Sequence, residues 1–352
     1  MIIILNFVLF LFWTIIIMSQ KNISYNKRSK YLLLITSIQL LIINCLKDYY
    51  SLPDLPGYAL AFEHVARNGY DIQWNTGMKA SEPGWIVFNI FLSNFYSDPW
   101  VLFAFVGGIV ILGHFRTYIH YSTIPWLSAY LFLCTVFCQS LYVIRQHVAI
   151  ALCLLTIPYI LQRKFIPFLL VVIVAALIHN TAIIFVLAYW AYSLNVNCKL
   201  ILFFICTACL SYVFLSKILI NVMITTNFYT AYVDGEQTNA TGFFISLCVL
   251  VLALYSIPLK KMQNELKLFF VMSCIATCIN LGGMGVPVTS RLNAYFTVFS
   301  ILLIPHSVSY LSKKLQLVVI TLVMLAYMFF SFSSISYLNG AKNMEFLVYK
   351  SI

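Results

Sequence analysis

The sequence predicts an all-α membrane protein with about twelve transmembrane helices. Three observations carry this prediction. Of the 352 residues, 62% are hydrophobic and only 9% are charged. Apolar runs of about fifteen to twenty residues recur along the whole chain, and the basic residues collect in the short loops between them. A soluble domain of this length could not cover so much apolar surface. We therefore expect one membrane domain over residues 1–352.

The apolar runs locate the expected spans. The first, "MIIILNFVLFLFWTIIIM", lacks the basic start and the small-residue cleavage site of a signal peptide, so we expect it to be retained. The segment 84–96 is too short to cross a bilayer and is typical of a re-entrant or surface helix. The twelve predicted spans are 1–18, 31–46, 99–115, 126–141, 145–162, 165–178, 180–194, 199–217, 241–258, 266–281, 291–306 and 315–334.

The charges orient these spans. Most of the lysines and arginines lie in alternate loops, which the positive-inside rule assigns to the cytoplasm. Most of the acids lie in the other loops, which are then external. The net charge of +11 is thereby explained by topology and does not indicate a nucleic-acid partner. Two external segments, 47–83 and 218–240, are rich in tyrosine. Their aromatic rings suit either sugar stacking or an interfacial belt.

Three ionisable residues are predicted to face the external side at similar depth. Arg145 stands at the start of an uncharged run in "LYVIRQHVAIAL", His179 lies at a hairpin between two short helices, and Arg291 opens a span after a Gly/Pro loop. Intramembrane ionisable groups are costly and are usually functional. A structural ion pair of Arg145 with Asp98 or Glu82 is the alternative. Two arginines at one pocket indicate an anionic ligand such as a phosphate.

Several kinds of chemistry find no motif in the sequence. There is no G-x-x-x-x-G-K-[ST] loop for ATP, no D-x-D pair for a metal-held nucleotide sugar, and no pair of histidines at metal-ligand spacing. We expect no metal, no cofactor and no nucleic acid. The ten cysteines lie mostly within apolar runs, where they are expected to act as small hydrophobic residues.

An ordered set of motifs resembles the EpsG family, the Wzy-like polymerases of bacterial exopolysaccharide and O-antigen. The set comprises "DLPGYALAF", "SEPGWIVFN", "LYVIRQHVAIAL", "ALIHNTAIIF" and "SRLNAYFTVF" before "LLIP". The resemblance runs from the first span to about residue 306. It departs from the family pattern at Trp85, where tyrosine is common, and at Asn180 after the histidine.

The resemblance implies a GT-C-like glycosyltransferase of lipopolysaccharide or exopolysaccharide biosynthesis in the bacterial inner membrane, with a periplasmic active site. Its donor and acceptor would be oligosaccharides linked to a polyprenyl (undecaprenyl) diphosphate, and a chain-length regulator and a flippase are its expected partners. His179 is the first choice for the general base, because the ordinary histidine pKa of about 6.5 leaves it mostly neutral near pH 7. Glu82 is the second choice and Asp54 the third. The residues expected to bind substrate are Arg145, Arg291, Gln146, Asp54, Tyr58, Trp85 and Tyr295.

Three other functions stay open on the sequence. An O-antigen ligase or another polyprenyl-linked glycosyltransferase would use the same pocket with a different acceptor. A transporter of lipid-linked glycan would need charged groups on both sides of the membrane midplane, whereas here they cluster toward one face. An assembly scaffold would not need two arginines in a pocket.

Overall fold

The structure is a computed structural model that describes residues 2–50, 52, 54–69, 82–226, 240–284, 286 and 288–342. Within these residues the regular secondary structure is helical, as the sequence predicts. The α-helices, in chain order, are α1 (Ile2–Met18), α2 (Tyr25–Leu46), α3 (Leu55–Asn68), α4 (Pro83–Ser93), α5 (Trp100–Tyr121), α6 (Pro125–Phe132), α7 (Cys138–Ser140), α8 (Ile144–Leu154), α9 (Ile157–Leu161), α10 (Phe165–Ile178), α11 (Leu187–Ala191), α12 (Cys198–Thr226), α13 (Thr241–Ser256), α14 (Asn264–Gly282), α15 (Val288–Thr297), α16 (Ser300–Ser309) and α17 (Lys313–Lys342).

Among the described residues, seven helical stretches of at least 18 residues are long and apolar enough to cross a membrane. They are Tyr25–Leu46, Trp100–Tyr121, Ile144–Leu161, Cys198–Val222, Asn264–Gly282, Thr289–Ser309 and Lys313–Phe332. Five more apolar helices, among them α1, α4 and α10, have 10–17 residues. The short α4 has the length expected for the predicted segment at 84–96. The predicted external loops fall partly on residues 70–81 and 227–239, which lie outside the described residues.

Four predicted spans have a more irregular backbone than the hydropathy pattern indicates. The segment predicted at 145–162 is divided between α8 and α9 by a turn at residues 155–156. The segment predicted at 126–141 contains a π-helical turn, Leu133–Phe137, between α6 and α7. The segment predicted at 180–194 begins as a 3-10 helix, Asn180–Val186, whose several β-branched residues favour the α-helix only weakly. The segment predicted at 291–306 is divided between α15 and α16, with a turn between them.

The chain divides into two compact units. The first comprises Met1–Leu155, Ile173–Asn180 and Leu317–Ile352, and the second comprises Thr156–Val172 and Thr181–Gln316. That both belong to a single membrane domain stays a prediction.

Helices pack closely around α5 in the first unit. A Cβ atom added at Gly107 would overlap the Asn44 side chain of α2, and one added at Gly113 would lie 2.9 Å from Cβ of Ala151 on α8. The Asn44 amide donates a hydrogen bond of 2.7 Å to the carbonyl of Phe103. The small residues therefore let α2 and α8 approach α5.

The second unit is built around α14, whose side chains are mostly buried. Helices α11, α12, α13, α15 and α16 pack against it. The hydroxyl of Ser211 on α12 donates to the Cys278 carbonyl over 2.9 Å. By contrast, most side chains of the Cys198–Val222 stretch are exposed although the stretch is apolar, which is typical of a helix that contacts lipid.

Candidate active site

Arg145 is held by two residues from other parts of the first unit. The chain leaves α7 at Ser140 and begins α8 at Ile144, so Arg145 lies in the first turn of the helix. Its Nε donates a hydrogen bond of 2.8 Å to the Tyr58 hydroxyl, and its Nη1 donates to Oε2 of Glu82. The guanidinium carbon lies 5.0 Å from the centre of the Tyr58 ring. The arginine therefore forms the ion pair with Glu82 that the sequence offered as its structural alternative, and this pair fixes the orientation of the guanidinium.

Glu82 links Arg145 to a histidine near the other end of the site. Its side chain is 2% exposed. The second carboxylate oxygen, Oε1, accepts a hydrogen bond of 3.0 Å from Nδ1 of His179 and one of 3.3 Å from the backbone N–H of Asn180. Burial raises the pKa of Glu82, but the His179 hydrogen bond and the Arg145 charge outweigh it, so the pKa lies below its ordinary value. Glu82 is therefore an ionised bridge between the two side chains.

The hydrogen bond to Glu82 determines the tautomer of His179. It follows α10 directly and is 4% exposed, and its backbone N–H donates to the Ala175 carbonyl over 2.9 Å. An ionised carboxylate can only accept, so the proton of the neutral imidazole lies on Nδ1. Nε2 is then the basic nitrogen of the ring.

Gly84 explains how Glu82 comes within reach of His179. Both lie at helix ends, Glu82 just before α4 and His179 just after α10. A Cβ atom added at Gly84 would lie 2.8 Å from Cβ and 2.9 Å from the carbonyl carbon of Leu177. Real Cβ atoms do not approach backbone so closely. The missing side chain therefore allows the two helix ends to touch and closes the hydrogen bond.

Tyr58 and Trp85 form an aromatic wall beside the guanidinium. Their rings meet edge to face with centroids 5.7 Å apart, and both are buried. Burial raises the pKa of the Tyr58 phenol, so the hydroxyl that accepts from Arg145 is neutral. Asp54 precedes α3 in a left-handed backbone conformation, φ 63°, and is exposed. Its charge acts on Tyr58, which places it near this wall.

Two further polar residues lie near Arg145. Gln146 is its neighbour in the chain, and Lys47 contacts the turn that precedes it. Gln146 follows Arg145 and is buried. Lys47, predicted to begin the external segment 47–83, is only 2% exposed. Its Nζ donates 3.0 Å to Oδ1 of Asn44 and 2.9 Å to the carbonyl of Leu141, and lies 5.0 Å from the centre of the Phe103 ring. Lys47 thus ties the end of α2 to the turn that precedes Arg145.

Burial lowers the pKa of Lys47 to about 7. Its N–H groups donate to both oxygens that it contacts, so the buried amine is hydrogen-bonded. The signal for this residue was visible in the sequence, because it stands directly after the long apolar run of α2.

The remaining predicted residues belong to the second unit. Arg291 lies in the first half of α15 and is half-buried. Tyr295, one turn later, is fully buried, and its hydroxyl lies 3.2 Å from that of Thr181. Asn293 donates a hydrogen bond of 2.6 Å to Asn280 on α14, which fixes α15 on that helix.

Comparison with known protein families identifies the family of this chain. The profile of the EpsG family matches residues 30–351. The chain belongs to the EpsG family. This is the family of the Wzy-like polysaccharide polymerases, so the resemblance drawn from the motifs is confirmed. No curated protein and no solved structure matches the chain. Membership indicates a polymerase, a glycosyltransferase kind of activity, in a membrane protein with several apolar helices.

Proposed function

We propose that this EpsG-family protein polymerises lipid-linked oligosaccharide repeat units on the outer face of the bacterial inner membrane. It would transfer a glycan from a polyprenyl diphosphate to a sugar hydroxyl of an acceptor unit. The observation that supports this most is the chain of contacts Arg145–Glu82–His179, which joins a cation suited to a diphosphate with a base suited to a hydroxyl. The twelve membrane crossings in this proposal come from the apolar runs of the sequence. The GT-C-like architecture is what the family resemblance implies.

Arg145 would bind the diphosphate of the donor. Its described hydrogen bonds use Nε and Nη1, and Nη2 makes none with the described residues. The guanidinium can therefore present N–H donors to phosphate oxygens while Tyr58 and Glu82 keep it oriented. Its charge would stabilise the negative charge that develops on the leaving diphosphate, and one preorganised donor of this kind contributes about 3–4 kcal/mol.

His179 would act as the general base. Nε2 accepts the proton of the acceptor hydroxyl as the oxygen bonds to the anomeric carbon, and the bond between that carbon and the phosphate oxygen breaks. The electron pair leaves with the diphosphate. Glu82 would stabilise the imidazolium that forms, as the buried acid of a catalytic triad does. Because Glu82 already accepts from three donors, it fits this orienting role better than the role of the base.

Gln146, Asp54 and Trp85 are the other residues of the first unit that would contact substrate. Arg291 and Tyr295, which belong to the second unit, stay predicted substrate-binding residues. The proposed contact of Trp85 with substrate is stacking of its aromatic ring on a sugar. In the structure this ring is buried against Tyr58. A chain-length regulator and a flippase are the protein partners that such a polymerase would need.

The experiment is a polymerisation assay with purified protein in liposomes and polyprenyl-diphosphate-linked repeat units as the only substrate. We expect a ladder of longer glycans without any ion gradient. His179→Ala should give no ladder yet still bind the donor. His120→Ala is the matched control, because this histidine is exposed and its Nδ1 lies 2.8 Å from the Arg116 carbonyl oxygen of its own helix. A normal ladder from His179→Ala would remove the proposed base, and no ladder from wild type would remove the proposed function.

A further inference from the structure

The second unit contains a cavity that the polymerase reaction does not use. Its volume is about 420 Å³. It lies where the chain turns from α11 to α12 and from α13 to α14. The residues that line it are Tyr192, Asn195, Val196, Leu259, Lys260, Met262, Gln263, Asn264 and Lys267. These turns overlap the basic loops at 195–199 and 259–267, which the positive-inside rule assigns to the cytoplasmic side.

Cations are concentrated at this cavity. Lys260 and Lys267 line it, and Nζ of Lys267 lies 4.5 Å from the centre of the Tyr192 ring. The guanidinium carbon of Arg163 lies 5.9 Å from the same centre. Two positive charges thus share one aromatic ring, and like charges held this close repel each other. Their arrangement would be relieved by an anion.

Acidic side chains do not neutralise this cluster. None of the cavity-lining residues is acidic. Across the described ranges, Arg163, Lys260 and Lys267 form no ion pair with a carboxylate. Arg163 is instead fixed in place by a hydrogen bond of 2.8 Å from its Nη1 to the Tyr189 carbonyl, and it stacks on the Tyr189 ring at 4.3 Å. The lining itself therefore carries positive charge only, and Glu265 in the first turn of α14 is not part of it.

The rest of the lining suits a phosphate group that carries an apolar part. The amides of Asn195 and Asn264 offer N–H donors at the rim, and α14 begins there, which adds to the positive potential. Val196, Leu259 and Met262 supply apolar surface. Basic cavities between helices on the cytoplasmic side are typical binding sites for anionic lipid head groups.

We propose that this cavity binds a phosphate group, supplied by the head group of an anionic phospholipid or by free phosphate. The site lies entirely within the second unit. It does not rest on the proposed polymerase reaction, and its failure would leave that reaction untouched.

The test uses detergent-purified full-length protein and native mass spectrometry. One arm titrates phosphatidylglycerol with phosphatidylcholine as the zwitterionic reference. The other titrates inorganic phosphate and records its binding and its competition with phosphatidylglycerol. The double variant Lys260→Gln/Lys267→Gln should bind the anion more weakly, by about fivefold for each lysine removed. Lys313→Gln/Lys314→Gln is the matched control, since it removes two exposed lysines outside the lining and should bind as wild type does.

Asn195→Asp provides a second variant that keeps both lysines. It adds a negative charge at an exposed position of the rim and should also weaken binding. Loss in the phosphatidylglycerol arm assigns the site to lipid, and loss in the phosphate arm alone assigns it to the free ion. Equal loss in the Lys313/Lys314 control, or no preference of the wild type for either anion over phosphatidylcholine, would overturn the proposal.

Discussion

A single methyl group at position 84 should disable the site without removing any of its chemical groups. In Gly84→Ala the new Cβ would lie 2.8 Å from Cβ and 2.9 Å from the carbonyl carbon of Leu177. Carbon atoms prefer to lie about 3.5 Å or more apart, so the ends of α4 and α10 must separate by about 0.5 Å. The obstructing atoms belong partly to backbone, so rotation of a side chain cannot relieve the overlap.

The separation falls directly on the hydrogen bond between Glu82 and His179. This bond is 3.0 Å long in the structure. An added ~0.5 Å brings it to about 3.5 Å, where a hydrogen bond is largely lost. The base would then lose its orientation and its fixed tautomer. Since a misplacement of about 1 Å can cost about a hundredfold in rate, we expect a rate at least about tenfold lower.

The measurement is the initial rate of glycan extension in the liposome assay, at matched protein amounts. Gly108→Ala is the control, because a Cβ at Gly108 meets no atom within 4 Å and the residue also lies in a helix. Both changes replace a helical glycine with alanine, which favours the helix. If Gly84→Ala extends glycans as fast as Gly108→Ala, the close approach of the two helices does not matter for catalysis, and the argument for an aligned Glu82–His179 pair fails.

Three further changes test the network around Arg145. Arg145→Lys keeps the charge but loses the planar fork that reaches both Tyr58 and Glu82, so polymer should fall about a hundredfold in the extension assay while immunoblots show unchanged protein, and a normal ladder would make the arginine merely structural. Glu82→Gln leaves a mostly buried Arg145 uncompensated and should cost about 3 kcal/mol of stability at pH 7. Because the folded pKa of Glu82 lies below the ordinary 4.5, the difference from wild type should shrink as the pH falls below 4.5, and melting curves with a constant difference would contradict this. For Lys47 the folded pKa of about 7 lies below the ordinary 10.5, so the unfolded chain binds more protons between these values and the free energy of unfolding should rise with pH across that window. Lys47→Met should flatten this rise in pH-dependent thermal melts, and an unchanged slope would assign it to other groups.

The hydropathy pattern was sufficient to predict most of the helices but not the breaks within them. The runs that became α2, α5 and α14 are visible because membrane insertion depends on composition and length alone. The π-helical turn Leu133–Phe137 and the division between α15 and α16 are not visible, because both leave the composition of the run unchanged. Such local changes of backbone geometry are decided by tertiary packing, which a one-dimensional pattern does not contain.

The candidate site was predictable as a set of residues and not as a network. Arg145, Glu82 and His179 stand out as ionisable groups next to apolar runs. Glu82 contacts both Arg145 and His179, whereas Asp98 accepts a hydrogen bond of 3.3 Å from Tyr49. These partners depend on how helix ends that are distant in sequence approach each other. Lys47 was overlooked because one residue of difference at the end of α2 decides between a buried amine and an external loop.

The division of the chain has a consequence for its synthesis on the ribosome. Helix α17 contributes to the first unit, where the Tyr130 hydroxyl donates a hydrogen bond of 2.9 Å to the Met324 carbonyl. Every residue of the second unit is translated before Leu317. The second unit can therefore fold on the nascent chain before α17, the last helix of the first unit, has been synthesised. A ribosome stalled when Gln316 has just left its exit tunnel should carry a chain with a protease-sensitive first unit and a resistant second unit.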